Sequence, residues 1–346
     1  MPETLSICIP TFNRVKCLRN CLESIYQSKK KSELNFDVCI SDNNSTEDVD
    51  SVINEYRDKL KIKFNKNLTN LGLGINILKS VELSNAEFAW IIGNDDMLLD
   101  KTLKCLEDLF KKNLDIDYYF INSFHLSSEH VFKFNQPFNH MNLPEYMSPF
   151  SKKKQNKRCK YFDLIRPDYA FDFLLGMFLN IFRRKKWVEN IDQIDRSLVS
   201  DTRVMSNIYN TFPHNIIFAK AFKNSNAFFH SDPLSIALYG ERDWWKDLYP
   251  FVEAIRIPEL VDVYRKNGLN YFKYLICKNF ALRKLFSNLI KVYILPEYNG
   301  FQYLNFRQHI LKNLHYPSIY IMPFYYLIRK IFKLVLEMIN KIISKK

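Results

Sequence analysis

Over the first 120 residues, short apolar runs alternate with longer stretches whose apolar positions recur every three to four residues. LSICIP (5–10) is a β-branched run closed by proline and predicts a buried strand. From Val15 to Ser28, Leu18, Cys21, Leu22 and Ile25 share one helical face. FDVCISD (36–42) predicts a second strand ending in an acid, and NNST then caps a helix predicted from Val49 to Leu60. The alternation continues with a strand over 62–67, a helix over 74–83, a strand over 88–93, a helix over 101–112 and a strand over 117–124. Strands alternating with helices of this length predict an α/β fold, a mainly parallel sheet covered by helices on both faces. Ligands of such sheets bind beyond the C-terminal strand ends. Those ends are Thr11–Asn13, Asp42–Asn44 and Asn94–Asp96, all polar and all projected to one edge.

The pattern lapses from His125 to Lys160, where Pro137, Pro144, Pro149 and the run KKKQNKRCK (152–160) predict a long excursion or lid. FDFLLGMFLNIFRR (171–184) reads as a helix or turn followed by a strand, 202–209 as a polar helix and IIFAKAF (216–222) as a further strand. From Tyr271 onward the chain reads as helical, basic and aromatic. Its longest uncharged apolar run, YPSIYIMPFYYLI (316–328), has 13 residues and two prolines, short of the ~20 that span a bilayer. IRKIFKLVLEMINKIISKK (328–346) alternates apolar and basic positions at helical spacing, as in a helix lying in a membrane interface; the alternative is an ordinary amphipathic helix packed on the protein.

Composition narrows the picture. With 47% apolar residues in 346, the chain buries a full core. Seven scattered cysteines without a C-x-x-C pair point to a reducing compartment, with no disulfide framework and no zinc site. MPETLSICIP has no basic region leading into a long apolar stretch, so no signal peptide is expected. The net charge of +13 is confined to one region: 15 Lys/Arg and 2 Asp/Glu lie between Arg265 and Lys346, whereas the first 264 residues carry 35 of each sign. That asymmetry implies an anionic partner, a membrane surface or a nucleic acid. The tail's bulk of Leu, Ile, Phe and Tyr at helical spacing is unlike a base-reading surface, so no nucleic acid is expected.

Neither G-x-G-x-x-G after the first strand nor G-x-x-x-x-G-K-[ST] occurs. Bound phosphates would then need another neutralising device, commonly a divalent cation held by carboxylates. WIIGNDDMLLD (90–100) ends an apolar strand in two adjacent carboxylates, Asp95 and Asp96. Two like charges at a buried strand tip fit a cation site; the alternative is a turn with helix-capping acids.

LSICIPTFNR (5–14), FDVCISDNNSTEDV (36–49), NLTNLGLGIN (67–76) and FAWIIGNDDMLL (88–99) resemble, in order and spacing, the N-terminal half of family 2 glycosyltransferases of the GT-A fold. The resemblance is good over about 1–125 and patchy over 170–245. It implies a GT-A-type Rossmann-like domain over 1–250, with a nucleotide-binding half (1–125) and an acceptor and lid half (126–250). A helical basic amphipathic region (251–346) follows. It further implies that Pro10, Thr11, Phe12, Asn13 and Arg14 line the nucleotide pocket and that Asp42 accepts hydrogen bonds from the base. Asn70 and Gly72 would form the N-x-G turn beside the nucleotide, and Asn94, Asp95 and Asp96 would face the ribose–diphosphate. The family's Asp-any-Asp motif falls with its first position on Gly93 and its second on Asp95, a departure that makes Asp95 the metal ligand, Mg²⁺ or Mn²⁺, with Asp96 beside it as second ligand or supporting partner. Asp42 also suits an Asx turn, and Asn70-Leu71-Gly72 is a common turn in its own right.

Inversion at the sugar carbon needs a base for the attacking hydroxyl. The resemblance points to Asp201 in SLVSDTRVMSNIY, 105 residues past the acidic pair, with Asp192 and Asp195 as rivals and a helix N-cap as the structural alternative. In FFHSDPLSIALYGERDWW (228–245), read as a donor-closing loop, Arg242 would pair with diphosphate, Trp244 and Trp245 would stack on sugars, and His230 would add a polar contact. The expected protein moves a sugar from a nucleotide-diphosphate donor to a hydroxyl of a glycan or lipid-linked acceptor in cell-surface polysaccharide biosynthesis. It would be cytoplasmic, held at the anionic inner face of the membrane. The competing reading is a nucleotide-binding scaffold with a degenerate site.

Overall fold

A computed structural model describes residues 3–240, 243–326, 328, 329 and 332, with side chains of 243–246 excluded. Two compact units divide the chain: Met1–Asp243 with Lys266–Leu269, and Trp244–Arg265 with Asn270–Lys346.

The first unit begins with β1 (Leu5–Thr11), α1 (Val15–Lys29), β2 (Phe36–Asp42), α2 (Val49–Tyr56), β3 (Ile62–Lys66), α3 (Gly72–Glu82) and β4 (Phe88–Ile91). β3, β2, β1 and β4 lie side by side and pair in parallel. Every residue of β1, β2 and β4 is buried, including Ser6, Asp37 and Ser41, which fits a parallel sheet covered on both faces. On one face Leu5, Ile7, Ile9, Val38 and Ile40 pack with Leu18, Leu22 and Ile25 of α1 and with Val52 and Ile53 of α2. Arg14 at the start of α1 provides no side-chain cap; Glu47 supplies it instead, its carboxylate accepting the N–H groups of Arg14 (3.0 Å) and Val15 (2.8 Å). A cap contributes about 1 kcal/mol, whereas each fully buried Leu or Ile contributes about 1.5–3, so burial dominates the placement of α1.

β5 (Met97–Leu98), α4 (Thr102–Lys112), β6 (Tyr118–Ser127), α5 (Ser128–Val131), β7 (Ser148–Pro149) and β8 (Lys157–Lys160) follow. Next come β9 (Asn180–Arg183), α6 (Arg184–Val188), α7 (Arg196–Val199), α8 (Ile208–Thr211), α9 (Pro213–Ala221) and β10 (Asn226–Tyr239). The sheet order is β3-β2-β1-β4-β9-β6-β10-β5, with β7 on β6 and β8 on β10. β9 runs antiparallel to β4 and β6, while β10 runs parallel to β6. The predicted excursion over 125–160 therefore contributes two short strands.

Three expectations change. The predicted strand 216–222 is helix α9: Pro213 opens it and seven of its nine residues are buried. A segment apolar on all sides carries no period to separate strand from helix. The predicted helix 202–209 is a tight turn ending in α8, because Asp201, Asn207 and Asn210 take backbone groups with their side chains. The predicted donor-closing loop 228–245 is, as far as Tyr239, strand β10, whose register against β6 shifts between His230 and Ser235.

The second unit is helical, with α10 (Asp243–Phe251), α11 (Ile257–Lys266), α12 (Tyr271–Ala281) and α13 (Leu285–Ile294). Its core gathers Phe251, Ile255, Leu282, Leu285 and Ile319. Buried polar groups there are paired: Lys278 with Asp262 at 2.7 Å, and Arg256 and His309 with Glu259 at 2.5 and 2.9 Å. Among the described residues no helix is long and apolar enough to cross a membrane.

Candidate active site at the strand tips

Parallel pairing brings the C-terminal ends of β1, β2 and β4 together, and their polar loops lock onto one another. Asn94 donates from Nδ2 to Thr11 Oγ1 (2.9 Å) and to the Asn13 carbonyl (3.3 Å). The Asn13 N–H donates to Ser45 Oγ at 2.6 Å, and the Ser45 N–H to Asp42 Oδ1 at 3.1 Å. Asn13 and Arg14 have φ of 54° and 59°, a left-handed turn that asparagine tolerates and arginine adopts rarely. It directs the Arg14 guanidinium to Asp95, Nη1 to Oδ2 at 3.2 Å. Pro10 and Thr11 are buried, whereas the Phe12 ring is 41% exposed beside them.

Asp42 is fully buried. Its Oδ2 lacks a hydrogen bond, and the Lys66 ammonium stands 4.0 Å away. Asn70 Oδ1 accepts from Asn43 Nδ2 (2.8 Å) and from the Gly72 N–H (2.9 Å). Gly72 has φ +81°, and a Cβ there would stand 3.3 Å from the Thr202 Cα and 3.6 Å from the Asp201 carbonyl oxygen. A Cβ on Gly74 would lie 2.8 Å from Val199 Cγ2 and 3.1 Å from the Asn210 Cα. These two glycines let α3 approach the 199–210 segment closely, which seats Asp201 beside the Asn70–Gly72 turn.

The two acids after β4 are inequivalent. Asp96 Oδ2 accepts the Gly93 N–H at 2.6 Å and the Asp96 N–H donates to the Gly93 carbonyl at 3.1 Å, so Asp96 closes its own turn. Burial, with the charges of Asp96 and Asp95 adding to it, pushes the Cys21 thiol well above its usual range, which places both acids beside α1. Among the described residues no group of three His, Cys, Asp or Glu is positioned to hold a metal. One carboxylate, Asp95, would suffice for a divalent cation only if diphosphate oxygens and water completed its shell, as at Mg²⁺ sites.

Asp201 is held by Arg203 and Ser206. Its Oδ1 accepts the Arg203 N–H (3.0 Å) and Nε (3.0 Å); its Oδ2 accepts Nη2 (2.7 Å) and the Ser206 hydroxyl (2.7 Å). The Arg203 hydrogen bonds, with Ser206 adding to them, hold its carboxyl far below the usual carboxylate range. The rival Asp195 caps α7, accepting the N–H groups of Ser197 and Leu198, and Asp192 is exposed. His230 lies within β10, opposite Ile121 of β6, with Nε2 3.6 Å from Cys105 Sγ. Arg242 and the side chains of Trp244 and Trp245 lie outside the described residues.

The residues before β9 went unread as site components. Because β9 is antiparallel to β4, its leading loop, residues 172–179, arrives at the Asp95 edge, where Trp90 Nε1 donates to the Phe178 carbonyl at 2.8 Å. Phe173 and Leu174 have φ of 57° and 69°. Asn215 donates to the Leu174 carbonyl, His214 to the Leu175 carbonyl, and Asn180 to the Gly176 carbonyl. Burial pushes the Asp172 carboxyl up to about 7, although the Gly176 N–H and neighbouring amides oppose the rise. A buried acid that keeps its proton when folded and loses it when unfolded makes stability fall as pH rises from about 4 to about 7. Urea denaturation at pH 5 and pH 8 reads the fall, and Asp172→Asn removes it. The strand direction sets this loop at the β4 tip, where Phe178 meets Trp90, and Asn180, His214 and Asn215 fix its backbone.

A mainly parallel sheet flanked by helices, with an acid-bearing loop at the tip of its fourth strand, defines a GT-A-type glycosyltransferase domain. Residues 6–172 match the family described as glycosyl transferase family 2. The chain is 28% identical over 306 residues to abequosyltransferase RfbV of Salmonella typhimurium, covering 83% of this chain and 79% of that protein. It is 31% identical over 109 residues to the GalNAc(5)-diNAcBac-PP-undecaprenol β-1,3-glucosyltransferase of Campylobacter jejuni, covering 31% of this chain and 34% of that protein. In fold it is similar to residues 1–349 of S. aureus TarS, solved in complex with UDP-GlcNAc, with a TM-score of 0.55, 14% identity, and coverage of 90% of this chain and 79% of that one.

Proposed function

We propose that this chain transfers a sugar, with inversion, from a nucleotide-diphosphate donor to a hydroxyl of a glycan or lipid-linked acceptor during polysaccharide biosynthesis. The observation that carries the reading is the locking of three strand-tip loops on one edge, with Arg14 on Asp95 and Gly72 against the Asp201 backbone. The base of the donor lies over Thr11–Asn13 beside the exposed Phe12 ring, and the orphaned Asp42 Oδ2 accepts from one of its N–H groups. Asn70 and Gly72 border the ribose, and Asn94 and Arg14 face the diphosphate. Asp95 holds the cation, and Asp96 fixes the loop that carries it. A Mg²⁺ or Mn²⁺ held there by Asp95 would offset the charge of the departing diphosphate. Asp201 takes the proton from the acceptor hydroxyl as that oxygen bonds to the anomeric carbon and the bond from this carbon to the diphosphate oxygen breaks. Arg242 is assigned to the diphosphate from its sequence position alone.

The lipid carrier in the name of the C. jejuni relative supports a lipid-linked acceptor, and the basic C-terminal quarter supports an anionic membrane surface as partner at the cytoplasmic face. Thermal shift tests donor binding: UDP, GDP or dTDP with Mn²⁺ is expected to raise Tm by several degrees, as saturation stabilises by about 2.7 kcal/mol at a hundred times Kd. No rise with any of the three overturns the reading; release of free sugar from a panel of nucleotide sugars then identifies the donor.

A further inference from the structure

The second unit buries one side of its last described helix and leaves the other side uncovered. Residues 318–326, 328, 329 and 332 are helical. Ile319 is fully buried against Leu282 and Leu285, while Met322, Pro323 and Tyr326 are half-buried. Tyr320, Ile321, Phe324, Tyr325, Ile328 and Phe332 are 47–67% exposed. At about 100° per residue these six fall within an arc of roughly 140°, opposite Ile319. An exposed stripe of aromatic and aliphatic side chains at this spacing marks an interaction surface rather than scattered surface apolarity.

The surrounding charge selects the occupant. Over 271–326 the chain carries seven Lys/Arg and one Asp/Glu, and over 327–346 six and one. Lys312 and Arg329 are exposed on the described part. A second copy would bring a similarly basic face against this one, whereas an anionic bilayer offers hydrocarbon to the stripe and phosphate to its flanks. We propose that this stripe inserts into the interface of an anionic membrane, with the helix axis along the bilayer plane. The inference deepens the membrane partner given above and rests on it. It assigns the contact to Tyr320, Ile321, Phe324, Tyr325, Ile328 and Phe332, independently of sugar transfer.

The test is co-sedimentation of the full chain with vesicles of phosphatidylcholine, with and without phosphatidylglycerol. The chain is expected to partition onto the vesicles containing phosphatidylglycerol, and less so as salt is raised. The triple change Ile321→Ser, Phe324→Ser, Ile328→Ser is expected to lower the partition constant at least about tenfold, from the apolar area no longer inserted. Changing the same three residues to Leu is expected to preserve binding, separating insertion from folding. Equal binding by the serine and unaltered chains overturns the assignment, as does indifference to phosphatidylglycerol. Light scattering that shows the unaltered chain dimeric and the serine variant monomeric also overturns it, since a second copy then covers the stripe. Sugar release measured without vesicles is unchanged in the serine variant, so loss of partition and loss of catalysis are read apart.

Discussion

Asp95→Asn lowers kcat/KM for sugar transfer by about 10³ or more and abolishes the metal-dependent part of the nucleotide-induced rise in Tm. The change keeps the shape of a side chain that is 1% exposed and removes its charge. That charge meets one cation already, Arg14 at 3.2 Å, and in the proposed complex it must hold a second. The Arg14 side chain is 30% exposed and stays hydrated without its partner, so the larger loss is expected in turnover rather than in the ligand-free Tm. Asp96→Asn behaves oppositely. Its carboxylate closes the 93–96 turn through the Gly93 N–H, so the main loss falls on stability, followed in urea. An Asp95→Asn enzyme with near-normal turnover in chelator would remove Asp95 from the chemistry.

The second large effect is expected at Asp201. Asp201→Asn is expected to reduce kcat by 10²–10⁴ with little change in KM for the donor, the usual contribution of a positioned base. Its environment sets the pH dependence. A carboxyl held below its usual value stays ionised throughout the working range, so Asp201 gives no acid limb to kcat/KM above about pH 4. The same depression stabilises the fold above the unfolded value near 4, and that stabilisation disappears only as pH falls through the lower folded value. Arg203→Gln removes the guanidinium and leaves the Ser206 hydroxyl in place. The carboxyl then returns toward its ordinary value, and an acid limb emerges at higher pH than in the unaltered enzyme. A pH profile of kcat/KM for both chains reads this directly; coincident profiles show that Asp201 is not the base.

The nucleotide half was readable because its code is local. β1, β2 and β4 are buried on both faces and are rich in apolar residues, α1 and α4 bury one face and give a 3.6-residue period, and polar residues stand where each strand ends. Strand and helix order then fix the shared edge, since a parallel sheet sends every strand's C-terminal end the same way. The second half was less legible for a physical reason in each case. α9 is buried all round and carries no period, β10 is interrupted by a shift in register, and the 201–210 turn is held by side chains that bond to backbone rather than by apolar spacing.

The sequence by itself determined the α/β architecture, the edge on which Thr11, Asp42 and Asp95 lie, and the concentration of positive charge after Arg265, because strand burial, strand direction and charge are written residue by residue. Only the tertiary structure decided that Asp96 turns back on Gly93, that Asp201 is gripped by Arg203 beside Gly72, and that the loop before β9 meets Trp90 of β4. Those outcomes depend on which distant segments pack together and on where a side chain finds its hydrogen bond, and neither is encoded in the spacing of residues along the chain.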